Sequence, residues 1–185
     1  MEIIPKKQHI DKIRRGDIMN TLHLMVGLPC SGKTTKAKIL EKEYNALLLT
    51  PDKWCLRLFG DDTMEKEHDK NHENVEEIQW EIAKRVLSLG IDVILDFGFW
   101  GKAERIYFRN KAKELGVNFT IHYMDIPKEE LYKRLEERNK ELPEGVFTIP
   151  KEEMDKYIKI FQPVEEDELI EKANNRTLGK WHNCT

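Results

Sequence analysis

The stretch Gly27-Leu28-Pro29-Cys30-Ser31-Gly32-Lys33-Thr34 fits G-x-x-x-x-G-K-[ST] and constrains everything around it. Leu22 to Val26 reads as a buried strand before it, and Thr35 to Lys42 reads as a helix after it. Strand, glycine loop and helix together make a phosphate cradle. Gly27 and Gly32 permit backbone angles that side chains forbid. Loop N–H groups can then converge on one anion, and the helix adds its free amides and positive dipole end. Lys33 brings a charge to the β- and γ-phosphates of ATP, Thr34 offers a hydroxyl to Mg²⁺, and Thr35 belongs to the same first turn. With Gly at about 7%, Lys at roughly 6% and Ser plus Thr at roughly 12%, a random chain this long matches under ~1% of the time.

The 185 residues are enough for one domain with a proper core. Charged residues make up 35% and the net charge is -3, so no overall basic field draws the chain to nucleic acid or an anionic membrane. No apolar run approaches the ~20 residues of a membrane span. Cys30, Cys55 and Cys184 lack metal-ligand spacing and read as reduced thiols of a cytoplasmic protein.

Residues 1–20 form a polar extension with a short amphipathic helix expected over 8–15. Residues 21–170 form the nucleotide-binding domain, and 171–185 a polar tail. Within the domain, Ala46 to Leu49 reads as a buried strand that runs into Thr50-Pro51-Asp52, where proline starts a helix. Asp52 therefore stands at the carboxyl end of a strand, on the side where open α/β sheets bind ligands. A long helix takes Val75, Ile78, Ile82, Val86 and Leu89 as its apolar stripe. Asp92 to Asp96 is a third strand ending in an acid, and Phe97 to Gly101 a loop. A helix over 102–115, a strand over 117–124, a helix over 127–141, a loop marked by Pro143, Gly145 and Pro150, and a helix over 151–161 follow. A short last strand is expected near Leu169-Ile170. Alternating strands and helices imply an α/β fold with a mostly parallel sheet and right-handed crossovers.

Asp96, at the end of an apolar strand, is placed as the acid that holds Mg²⁺ in phosphoryl-transfer sites; its alternative role is helix capping. Asp52 is a candidate general base for a hydroxyl acceptor, against the same capping alternative. Arg134 and Arg138 share a helix face and suit either a phosphate clamp or a solvated face paired with Glu130, Glu136, Glu137 or Glu141. Arg105 and Arg109 pose the same choice. His68 and His72 lie among Glu67, Asp69 and Glu73, so exposure is expected rather than a metal site. Phe97, Phe99 and Trp100 suit stacking on a ligand or packing at the sheet rim.

Taken in order, GLPCSGKTT, TPDKW, ILDFGFWGKAER and IHYMDIPKEELYKRLEERN resemble the AAA_33-type P-loop kinases. These are similar to the polynucleotide kinase 5′-kinase domain, chloramphenicol phosphotransferase and zeta toxins. The resemblance spans about residues 22 to 168. It implies a P-loop NTPase of the kinase type, three layers with a five-stranded sheet in the order 2-3-1-4-5 and a helical lid. It also implies that Asp52 activates the acceptor and that Arg134 and Arg138 close on the nucleotide phosphates. Polynucleotide kinases carry an arginine three residues after the base, where this chain has Cys55. The expected activity is therefore ATP- and Mg²⁺-dependent transfer to a hydroxyl of a small-molecule acceptor. A 5′-hydroxyl nucleic-acid kinase and a nucleotide-binding regulatory or toxin-like module are the alternatives.

Overall fold

The structure, a computed structural model, describes residues 19–60, 67–141 and 147–169. Four strands form one parallel sheet: β1 (Thr21–Val26), β2 (Leu47–Leu49), β3 (Val93–Gly98) and β4 (Asn118–Tyr123), in the order β2-β3-β1-β4. Every residue of β1 is buried, as a central strand covered on both faces requires. Helix α1 (Lys33–Tyr44) covers one face, where Ala37 and Leu40 pack with Met25, Ile94 and Met124. Helices α3 (His68–Ser88) and α4 (Lys102–Leu115) belong to the other, where Ala83, Leu87, Phe108 and Ala112 meet Leu22, Leu24, Val93 and Leu95. Helix α2 (Pro51–Phe59) follows β2 and packs on α3. Helices α5 (Lys128–Lys140) and α6 (Lys151–Ile160) form a separate pair. Their Leu131, Leu135 and Met154 close a small core that includes Leu28 and Cys30 of the glycine loop.

The expected α/β architecture is thus present, and its strands stand in the 2-3-1-4 part of the expected order. Two expectations need correction. The segment near Leu169 is a short helix, α7 (Glu166–Leu169), where a strand was expected; Ile170 lies outside the described residues. The buried stripe of α3 is Val75, Gln79, Ala83 and Leu87, while Ile78 and Leu89 are 53% and 50% exposed. Side-chain apolarity pointed at the isoleucines. The helix instead turns its small Ala83 to the sheet, which permits a close approach. The expected helix over 8–15, the loop markers Pro143 and Gly145, Cys184 and the tail 171–185 also lie outside the described residues.

The end of the domain is fastened by one ion pair. Arg105 is fully buried and donates to both carboxylate oxygens of Glu168, at 2.8 and 2.9 Å, and to the carbonyls of Phe99 and Trp100. Arg109 donates to the Glu168 carbonyl and lies over the Phe119 ring. Burial pushes the Glu168 carboxyl up, but the hydrogen bonds and charge of Arg105 outweigh it and hold it below the usual range. The Arg105–Arg109 pair is therefore a structural clasp, neither the phosphate clamp nor the solvated face that the sequence offered. Phe97 and Phe99 stack on each other at 5.5 Å within the core.

Candidate active site

Val26 leaves the sheet into Gly27, whose φ of 151° opens the loop. A Cβ there would lie 2.8 Å from Ser31 Oγ and 3.1 Å from the Met124 carbonyl, so only glycine fits. The Gly27 N–H donates to the Gly98 carbonyl and its own carbonyl accepts the Trp100 indole N–H, at 3.1 and 3.2 Å. Gly32, at φ 92°, caps α1, and the first-turn amides of that helix have no carbonyl within it to bind. Between them Leu28, Pro29, Cys30 and Ser31 complete a concave loop, with Thr35 in the first turn beyond it.

The charged groups converge on this loop. Lys33 Nζ donates to the Leu28 carbonyl at 2.9 Å. Burial pushes its ammonium down, opposed by the charges of Asp96 and Asp52. Thr34 Oγ1 donates to Asp96 Oδ2 at 2.6 Å. Asp96 Oδ1 is buried without a hydrogen-bond partner. Burial raises the Asp96 carboxyl to about 6, against the pull of Lys33 and the Thr34 hydrogen bond. A hydroxyl and an orphaned carboxylate oxygen are hard oxygen donors that fit Mg²⁺, a cation bound through few protein ligands plus phosphate and water.

Helix α5 brings two arginines from above. Arg134 reaches to 4.0 Å from where a Gly32 Cβ would stand, while its Nε donates to Glu130 at 2.8 Å. Arg138 donates to the Phe147 carbonyl at 2.6 Å and to Cys30 Sγ at 3.8 Å, and its Nε is buried without a partner. The arginines overhang the loop, and one keeps a glutamate partner.

Asp52, in the first turn of α2, has its side chain 46% exposed. Sequence reasoning missed its partner. His72 Nε2 lies 3.2 Å from Asp52 Oδ1, and His72 Nδ1 lies 3.3 Å from Glu76 Oε1. Burial works to lower the His72 pKa, but the two carboxylates outweigh it and raise it to about 10. Burial likewise works to raise Asp52, but the His72 hydrogen bond and the charges of His72, Lys33 and Arg138 hold it below its ordinary value. The signal was present in helix phase: His72, Val75 and Gln79 fall at i, i+3 and i+7, on one face of α3.

A test follows by linkage. A histidine raised to about 10 in the folded chain contributes stability that is fully present below its unfolded value of about 6.5 and is lost as pH climbs to 10. The wild-type melting temperature should fall between pH 7 and 10 more steeply than that of His72→Gln. Parallel curves would show that His72 is not held as a cation.

A glycine-rich phosphate loop, a parallel sheet in this order and an overhanging helix pair define a P-loop protein of the kinase-type fold. The AAA_33 family, an AAA domain, matches residues 22–164, and the chain belongs to it. Solved structures share the fold. One is the Pnkp1/Rnl/Hen1 RNA repair complex, at TM-score 0.64 and 23% identity over 85% of this chain and 53% of that one. The chain thus spans about half the length of that protein. A second is Chaetomium thermophilum Kti12 in complex with ADP-AlF3, at TM-score 0.62 and 19% identity, covering 86% and 89%. A third is a sugar kinase from Janibacter sp., at 0.56 and 16%, covering 81% and 82%. No curated protein matches the sequence. No helix among the described residues is long and apolar enough to cross a membrane.

Proposed function

We propose that this chain is an ATP- and Mg²⁺-dependent phosphotransferase that moves the γ-phosphate to a hydroxyl of a small molecule. The observation that carries this reading is Asp52. It is half-exposed, kept ionised by His72, and close enough to Lys33 and Arg138 to feel their charges. A carboxylate so placed beside a phosphate loop suits removal of an acceptor's proton as the new bond develops.

In this mechanism the loop amides from Gly27 to Thr34 bind the phosphates and Lys33 leaves the Leu28 carbonyl for the β- and γ-oxygens. Thr34 and Asp96 would hold Mg²⁺, which would supply charge neutralisation for the transferred group. Arg134 and Arg138 steady the same oxygens from above and exclude water. Asp52 takes the acceptor's proton. Positioning and charge stabilisation account for most of the rate. Asp52→Asn is expected to lower transfer by about 10²-fold or more while leaving nucleotide affinity unchanged. Steady-state rates with γ-labelled ATP and equilibrium dialysis measure the two; full activity would remove Asp52 from the base role.

A second reading has one observation in its favour. Lys38, Lys42, Lys53, Trp54 and Thr50, with Glu41 and Leu48, line a cavity of about 420 Å³ beside α1 and α2. Such a basic, partly aromatic groove suits a nucleic-acid strand. Labelling of a 5′-hydroxyl oligonucleotide from γ-labelled ATP, lost in Lys53→Glu, would favour it over the small-molecule reading.

A further inference from the structure

An aspartate in the first turn of a helix swings about its side-chain torsions unless a neighbour holds it. Asp52 has such a neighbour. Cys55, one turn on from Asp52 in α2, and Val75, one turn on from His72 in α3, lie in one buried cluster with Phe147. The packing that joins the two helices also brings Asp52 to His72, whose Nε2 stands 3.2 Å from Asp52 Oδ1. One turn further along α3, Glu76 Oε1 stands 3.3 Å from the other ring nitrogen, Nδ1. The three side chains form a line, with the imidazole between two carboxylates.

That line sets its own protonation state. An ionised carboxylate accepts hydrogen bonds and donates none. A neutral imidazole has one N–H, so it serves one carboxylate and turns a lone pair on the other. The imidazolium donates to both. The charges agree with the geometry: burial lowers the His72 pKa, but Asp52 and Glu76 outweigh it and raise it to about 10. Other charged and titratable groups face the ends of the line. On α3 the His68 ring lies 6.1 Å from that of His72 and edge-on to Phe147. Burial raises Asp52, and His72, then Lys33 of α1 and Arg138 of α5, bring it below its ordinary value. Burial raises the Tyr157 hydroxyl of α6, and Glu153, Asp69 and Asp52 add to this. Burial raises Glu104 of α4 to about 7, and Glu76 adds to this.

We infer that His72, oriented by Glu76, is a positioning residue that holds Asp52 by Oδ1 and turns Oδ2 to the acceptor hydroxyl. The inference rests on the base role proposed above. In the transfer step the acceptor's O–H bond breaks and its proton goes to Asp52 Oδ2. The acceptor oxygen bonds to the γ-phosphorus, and the bond from that phosphorus to the bridging oxygen breaks, leaving ADP. His72 keeps both of its protons throughout, and Asp52 gives its new proton to water as the product departs. One oxygen of the base is thus for anchoring and the other for chemistry.

The test uses the full chain. Nuclear magnetic resonance titration follows the His72 ring nitrogens and the Asp52 carboxyl carbon. Initial rates are taken with Mg²⁺ and γ-labelled ATP, with water and glycerol as the acceptor probes. In wild type both His72 ring nitrogens should be protonated at pH 7 to 8. Glu76→Leu should lower the His72 midpoint by at least about one pH unit and kcat roughly fivefold. His72→Leu should raise the Asp52 midpoint and move the acid limb of kcat/KM up with it. It should also lower kcat roughly tenfold or more while leaving the KM for ATP unchanged. His72→Gln restores a neutral donor to Oδ1, so it should recover part of kcat but none of the shift in the acid limb. A melting temperature above the assay temperature checks that each variant is folded; a purely structural His72 would move that temperature and leave the acid limb in place.

A neutral His72 at pH 7, an Asp52 midpoint unmoved in both His72 variants, or a kcat loss below twofold in them would overturn the inference. Titrations as expected, with wild type transferring phosphate to neither probe, would instead overturn the phosphotransferase reading and leave the carboxylate–imidazolium–carboxylate line standing. Transfer abolished by Asp52→Asn but untouched by either His72 variant would do the reverse.

Discussion

Lys33→Ala is expected to reduce phosphoryl transfer by about 10³-fold or more, an effect at the upper end for a single charged donor in a phosphoryl-transfer site. The ammonium lies half-buried at the loop and donates to the Leu28 carbonyl. Among the described residues, the two arginines over the loop already have protein partners and approach from the other side. Arg134 is tied to Glu130, and Arg138 to Phe147 and Cys30. The substitution also withdraws the positive charge that offsets Asp96 and Asp52, so the Asp96 carboxyl should rise further above its already raised value of about 6. Weaker Mg²⁺-nucleotide binding below neutral pH would accompany the loss of rate. Single-turnover transfer and calorimetric titration at pH 6 and 8 measure both. Activity within tenfold of wild type would show that Lys33 does not touch the transferred group.

Arg105→Met is expected to lower unfolding stability by about 3–5 kcal/mol, because it strands a carboxylate that is 97–98% buried. Against a total of about 5–15 kcal/mol for a domain, this is a large share. The Phe99 and Trp100 carbonyls would lose a donor as well. Pairing the change with Glu168→Leu should restore much of the loss, since a buried ion pair replaced by apolar side chains often costs little. Urea denaturation of the two single variants and the double variant gives the coupling directly. A loss under about 1 kcal/mol in the single variant would mean that the clasp is dispensable.

The sequence carried the placement of the candidate residues as far as its signals were local. Lys33 and Thr34 are fixed by the glycine loop, and Asp52 and Asp96 by apolar runs that end in an acid. Each such run is a strand, and strand ends gather at one edge of a parallel sheet, so their meeting needed no long-range information. His72 was lost because its neighbours in sequence are acidic, which suggests solvent. Its half-buried place follows from the phase of α3, set by Ala83 and Gln79 rather than by Ile78. Arg105 was ambiguous for a different reason. Its partner lies 63 residues on, within an acidic patch, and nothing in the spacing tells a clasp from a solvated face. The helix at 166–169 has the same origin: Glu168 is held where Arg105 needs it.

Trp100 gives the molecule a property separate from its chemistry. Its indole N–H holds the Gly27 carbonyl of the phosphate loop, and its ring leans on Tyr157 of α6 at 4.7 Å. One fluorophore thus touches both the floor and the overhanging helix pair. Ligand entry that shifts either surface alters the hydrogen bonding and quenching of that one ring. With Trp54, Trp80 and Trp181 replaced by Phe, its emission becomes a built-in optical gauge of loop occupancy and helix closure, needing no attached dye.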